Sequence, residues 1–227
     1  MRVAIFGDSF AHHTCDENPS LAWWQILSKE FDITNYGEPG SCLYYSIELF
    51  QKHHQSYDKI IFCMTSSGRI MIPDEHVFNY GGHRDIKNMT AMSVVSYLET
   101  NDIPEKRPFF KAALDYFTYI QHNGYDNYTH QLMKDDIQRQ RTDGLFIDSF
   151  SELGTVFDME NKHYGINEHT AHTAYKDIRH CHMTPQNNLI FANMVKEWLL
   201  GNPFVFSLDK FVIPSESKSE IFLPLKK

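Results

Sequence analysis

Cysteine is scarce and scattered: the chain has four, Cys15, Cys42, Cys63 and Cys181, with no CxxC pair among them. Such spacing supplies neither a disulfide framework nor the paired thiolates of a structural zinc site. Long apolar runs are missing as well. No stretch approaches the roughly 20 residues that a helix needs to span a bilayer. Arg2 is followed by four apolar residues and then a polar turn, too short a run for the core of a signal peptide. The expected location is therefore cytoplasmic. Positive charge is in deficit, with 21 Lys and Arg against 29 Asp and Glu and a net charge of -8. A nucleic-acid binder normally carries a basic patch or stripe, so that class is disfavoured, as are anionic surfaces. Internal repeats and low-complexity segments are also absent from the sequence.

What is present suits one α/β domain. At 227 residues the expected organisation is a single domain over 1–201, with an insertion at about 70–140 and a C-terminal arm over 202–227. Arg2-Val3-Ala4-Ile5-Phe6 is short, apolar and rich in strand formers. Ser20 is placed to cap a helix carrying Leu21, Trp24, Leu27 and Phe31 at helical spacing. A second strand at Ile33–Tyr36 ends in Gly37-Glu38-Pro39-Gly40, a loop by composition. Ser41 is placed to cap a helix through about His53, with Leu43, Ile47 and Phe50 on one face. Tyr57–Met64 is a third strand, nearly all apolar at its end and so expected to be central. This alternation predicts a parallel sheet with right-handed crossovers.

Beyond it, Arg69 to about Pro108 reads as irregular. Helices are expected at Phe109–His122, with Phe110, Leu114, Phe117 and Ile120 on one face, and at Tyr128–Arg141. Leu145-Phe146-Ile147 is the expected fourth parallel strand. Thr184 and Pro185 suit the start of a last helix, with Leu189, Ala192, Val195 and Leu199 on one face and Gly201 as its stop signal.

Gly7-Asp8-Ser9-Phe10 follows the first strand directly. Open α/β sheets carry ligands and reacting groups at the C-terminal ends of their strands. A serine there can be a nucleophile if a histidine from elsewhere takes its proton. Asp177-Ile178-Arg179-His180-Cys181-His182 precedes the last helix and can supply that base, with Asp177 to orient it. Gly40 opens the helix after the second strand, and its N–H can face an oxyanion. Taken singly, each residue reads more simply as loop chemistry, with glycine bending and Asp and Ser bonding nearby backbone.

Taken together, Gly7-Asp8-Ser9-Phe10, the glycine loop after the second strand and Asp177…His180/His182 resemble the SGNH hydrolases, the GDSL-type esterases and lipases. The resemblance covers residues 1–68 and 175–200. It implies a three-layer α/β/α sandwich with a central parallel sheet, the flavodoxin-like SGNH hydrolase fold, and a helical insertion. It implies Ser9 as nucleophile and first oxyanion donor, and Gly40 as the second donor in preference to Gly37. The family's third block carries an asparagine donor. Here Thr65-Ser66-Ser67-Gly68-Arg69 has none, which leaves either a hydroxyl of Ser66 or Ser67 as the substitute or a hole with only two donors. Asp177 stands three residues before His180, the family's acid-to-base spacing. His182 stands two residues before the helix cap at Thr184, the family's register for the base. The helix register favours His182, with His180 as the alternative.

The implied activity is carboxylic ester hydrolysis of a small-molecule or glycan substrate, an O-acetylated carbohydrate being preferred, with no metal or organic cofactor. The histidine-rich stretch His169, His172, His180, Cys181 and His182 lacks the repeated ligand pairs of a zinc site. The reading from a different class is a non-catalytic carbohydrate-binding or assembly module on the same fold.

Overall fold

The two most apolar runs of the chain, Arg2–Phe6 and Lys59–Met64, become adjacent strands. The computed structural model describes residues 1–12, 22–38, 41–65, 69–71, 78–79, 85–86, 88–89, 107–121, 123–148, 185–205 and 210. Its strands are β1 (Arg2–Phe6), β2 (Asp32–Asn35), β3 (Lys59–Met64), β4 (Ile70–Met71), β5 (Phe78–Asn79), β6 (Asp85–Ile86), β7 (Asn88–Met89) and β8 (Leu145–Asp148). Its helices are α1 (Ser9–His12), α2 (Trp23–Leu27), α3 (Leu43–His53), α4 (Arg107–Asp115), α5 (Asn123–Gln140) and α6 (Pro185–Leu199). The fold is α/β, built on a four-stranded sheet of order β2-β1-β3-β8. β1 and β3 run parallel, with Val3 opposite Lys59 and Phe6 opposite Phe62. Tyr36 N–H donates to the Ile5 carbonyl and Glu38 N–H to that of Gly7, so the path leaving β2 also advances with β1. Two short antiparallel pairs, β4 with β7 and β5 with β6, stand apart from the sheet.

The chain divides into two compact units, one of residues 2–12 and 34–146, the other of residue 1, 13–33 and 147–227. In the first unit the period-2 alternation of β1 and β3 sorts their side chains between two faces. Ala4, Phe6, Ile60, Phe62 and Met64 share a buried cluster with Leu43 and Phe50 of α3 and Ile137 of α5. Val3, Ile5, Ile61 and Cys63, which alternate with them, are equally buried. A sheet buried on both faces is what parallel strands require. Tyr36 stacks between Phe6 and His53, with ring centroids 5.1 and 4.6 Å away. Burial, and then its hydroxyl contact with Tyr57, push the Tyr36 phenol up to about 12.

Arg141 fastens the connection between α5 and β8. Its guanidinium donates to the carbonyls of His54, Tyr57 and Asp58 and grips both oxygens of Asp143 at 2.9 and 3.1 Å. A hydrogen bond to a charged group is worth about 1.5–3 kcal/mol. Arg141→Ala is therefore expected to lower the unfolding free energy by about 2–3 kcal/mol, with little recovery in Arg141→Lys, because an ammonium lacks the planar fork. Urea titration of the three proteins measures this. The same grip holds the Asp143 carboxyl below its ordinary value of 3.8. The pair's contribution is therefore complete above that value and lost as pH falls through the lower folded one.

His54 is buried, its ring stacked 4.3 Å from that of Phe50, and its Nδ1 has no hydrogen-bond partner among the described residues. Burial first, and then the charge of Arg141, push its pKa below the ordinary 6.5. The unfolded chain then binds a proton below pH 6.5 that the folded chain refuses, so stability drops as pH falls through that range. His54→Phe removes this dependence. The difference in urea midpoint between His54→Phe and the native chain should shift in favour of the variant from pH 7.5 to pH 5.5. A constant difference contradicts the assignment.

In the second unit α2 and α6 pack together. Trp23 meets Phe191 edge to face, with centroids 5.2 Å apart. Asn188 Oδ1 accepts the Trp23 N–H at 2.9 Å, satisfying a donor at the start of a helix whose N-cap, Ala22, has no side-chain acceptor. Lys196 reaches Glu30 at 2.6 Å. The last turn of α6 closes as a Schellman motif, with Gly201 N–H on Trp198 O and Asn202 N–H on Glu197 O. Gly201 takes a φ of 95° there. No helix among the described residues is long and apolar enough to cross a membrane.

Several local expectations are corrected. α2 begins at Trp23, and Ser20 lies outside the described residues; the buried indole is Trp23, not Trp24. Leu189 is 48 % exposed. The buried stripe of α6 runs through Asn188, Ala192, Val195 and Leu199, because the Asn188 amide finds a partner and so is not driven to the surface. Ile120 is 70 % exposed, because residues Tyr116–Ile120 form a π-helical turn that breaks the register assumed for an α-helix.

Candidate functional site

A strand order of 2-1-3 places a crevice between the C-terminal ends of the first and third strands, where the chain departs in opposite directions. Gly7-Asp8-Ser9 leaves β1 at that point, and Thr65 leaves β3 beside it. Gly7 has a φ of 142°, and a Cβ on it would lie 2.6 Å from the Cys63 carbonyl oxygen. Only glycine lets β1 turn this close to β3.

Asp8 is fully buried. Its Oδ1 accepts the Phe10 N–H at 3.0 Å, and its carbonyl accepts the N–H groups of Ala11 and His12. The residues on either side of Ser9 are thus pinned, and Ser9 is the first residue of α1. Asp8 Oδ2 accepts from Thr65 Oγ1 at 3.0 Å and from Arg69 Nη1 at 2.7 Å. Arg69 Nη1 also donates to the Ser41 carbonyl at 3.1 Å. Ser41 Oγ donates to the Gly7 carbonyl at 3.2 Å. Ser41 therefore does not cap α3 with its side chain, as its sequence position suggests; Cys42 occupies the N-cap position.

The path from β2 is held against the same turn. Asn35 Nδ2 donates to the Ala11 carbonyl, and Asn35 Oδ1 accepts the Gly37 N–H at 2.8 Å. A Cβ on Gly37 would lie 2.9 Å from that of Ala11, so this glycine serves close packing against α1. Ser41 N–H donates to Glu38 O, three residues back. Gly40 lies between them and outside the described residues, as do Ser66, Ser67, Asp177, His180 and His182. The histidine-rich stretch from His169 to His182 is outside them too.

Two thiols stand near this turn. Burial, and then the charge of Asp8, push the Cys63 thiol well up. Burial also raises that of Cys42. Both remain protonated at neutral pH, which removes them as nucleophiles. Thr65 and Arg69 were visible in the sequence as part of the third block, but their role was not. The available signal was Asp8 itself: an acid directly after a buried strand needs cationic and hydroxyl partners.

No family model matches the chain, and no curated protein does. Among solved structures it is similar to a member of the lipolytic protein G-D-S-L family from Veillonella parvula, at 12% identity over 87% of this chain and 97% of that one, with a TM-score of 0.38. A lipase/acylhydrolase from Enterococcus faecalis shares 10% identity over 88% and 95%, with a TM-score of 0.39. An acetyl xylan esterase from Geobacillus stearothermophilus shares 13% over 91% and 97%, with a TM-score of 0.36.

Proposed function

We propose that the chain is a serine ester hydrolase with Ser9 as its nucleophile. The observation that carries this is the position of Ser9: it follows a buried, fully engaged Asp8 at the C-terminal end of an inner strand, beside the switch point of the sheet. In the proposed reaction Ser9 Oγ attacks an ester carbonyl and its proton passes to His182, or to His180 as the alternative, oriented by Asp177. The tetrahedral oxyanion is held by the N–H groups of Ser9 and Gly40, with Ser67 as a further donor. The intermediate collapses, the C–O bond to the alcohol breaks, and the imidazolium returns its proton to the departing alkoxide. Water, deprotonated by the same histidine, then cleaves the acyl-enzyme and regenerates Ser9.

The substrate class we propose is a carboxylic ester, in particular an O-acetyl group on a carbohydrate; this last choice follows from the family resemblance alone. The chain should hydrolyse p-nitrophenyl acetate and take up a fluorophosphonate probe on Ser9. A second reading, a non-catalytic binding module, is favoured by the lack of an asparagine in Thr65–Arg69. Absence of both turnover and probe labelling selects it.

A further inference from the structure

Arg69 joins the three chain segments that meet at the crevice, and we propose that it is the positioning residue that holds the nucleophile turn in register with the second-strand loop. This rests on the reading of Ser9 as a nucleophile. One nitrogen, Nη1, donates both to Asp8 Oδ2 on the β1 turn and to the Ser41 carbonyl on the segment entering α3. Arg69 itself belongs to the segment leaving β3. Its side chain is 18 % exposed and that of Asp8 is fully buried, so the ion pair is shielded from the solvent screening that weakens surface pairs.

The geometry reaches Ser9 through Asp8. The carboxylate that Arg69 grips by Oδ2 holds the Phe10 N–H by Oδ1, and Ser9 lies between these two anchored residues. Arg69 also fixes Ser41, whose hydroxyl returns to the Gly7 carbonyl. Gly40 immediately precedes Ser41 in the chain, so the clamp ties the Ser9 turn to the residue that follows the proposed Gly40 donor. The family's asparagine is missing from this third block. Arg69 compensates by ordering the two remaining backbone donors, without touching the substrate.

Displacement of a reacting group by about 1 Å can cost on the order of 100-fold in rate. Arg69→Met should therefore lower kcat on p-nitrophenyl acetate by roughly 10- to 100-fold, with KM changed less than about 3-fold. Arg69→Lys keeps the charge and a nitrogen able to donate twice, but on a shorter stem without the planar guanidinium, and should recover part of kcat; it also serves if the methionine variant does not fold. Because the effect passes through Asp8, adding Asp8→Asn to Arg69→Met should cost little more than either change alone. An unchanged kcat with a lowered melting temperature overturns the proposal, leaving Arg69 a structural ion-pair partner. A raised KM at constant kcat overturns it in favour of direct substrate binding.

Amide exchange separates this proposal from the hydrolase reading. If the native chain neither turns over ester nor labels, the hydrolase reading fails, and Arg69 as a positioning residue for that reaction fails with it. The clamp itself then stands or falls on the Phe10 N–H. Faster exchange there in Arg69→Lys, with β3 amides unchanged, supports the clamp, and an unchanged rate overturns it. If the native chain is active and the Phe10 rate is unchanged, the positioning proposal alone fails.

Discussion

On the proposed mechanism Ser9→Ala is expected to abolish ester hydrolysis, with kcat falling roughly ten-thousand- to million-fold, as nucleophile removal does in serine hydrolases. The melting temperature should stay near that of the native chain. The bonds that hold the turn come from the Asp8 carboxylate and carbonyl, the Phe10, Ala11 and His12 N–H groups, and Arg69, and none of these is removed by the substitution. A fluorophosphonate probe should label the native chain and not the variant. Retention of full hydrolysis by Ser9→Ala removes the mechanism outright. The proposed acid and base follow the same logic. Asp177, His180 and His182 are separable by single alanine variants, and the base is the histidine whose loss approaches that of Ser9.

Gly7→Ala is expected to cost about 2–5 kcal/mol of folding free energy, from about 1–2 kcal/mol of positive-φ strain and about 1–3 kcal/mol of overpacking. The added methyl meets the Cys63 carbonyl oxygen at 2.6 Å and the Cys63 Cβ at 2.7 Å. One of these is backbone of β3, which is paired to β1 and cannot yield without opening the sheet. A domain of this size is stabilised by only about 5–15 kcal/mol, so the loss is a large part of the total. Thermal unfolding should show a fall of about 4–20 °C, at about 2–4 °C per kcal/mol. Activity should fall further than stability alone explains, because the same close approach of Gly7 to Cys63 sets where Asp8 and Ser9 emerge. A variant that melts with the native chain contradicts this account.

The sheet was legible because its signals are local. Four apolar residues before Gly7, and five before Thr65, carry the strand signal within the run itself. Leu43 and Phe50 appear on the buried face of α3 for the same reason. The failures occurred where a polar group found a distant partner. Asn188 is buried because Trp23, 165 residues earlier, offers it an N–H, and that displaced Leu189 to the surface. Ser41 abandons helix capping for the Gly7 carbonyl. Ile120 was lost to a π-helical turn, which has no compositional signature.

The sequence by itself determined the parallel α/β character, the buried strands and the placing of Gly-Asp-Ser at the end of the first, since periodicity and chain order carry that information. Tertiary structure alone decided what holds that turn. Asp8 is joined to Thr65 and Arg69 across 57 and 61 residues, and no local pattern encodes a pairing over that span. A buried carboxylate must be neutralised and hydrogen-bonded, but which arginine does so depends on where the third strand ends beside the first.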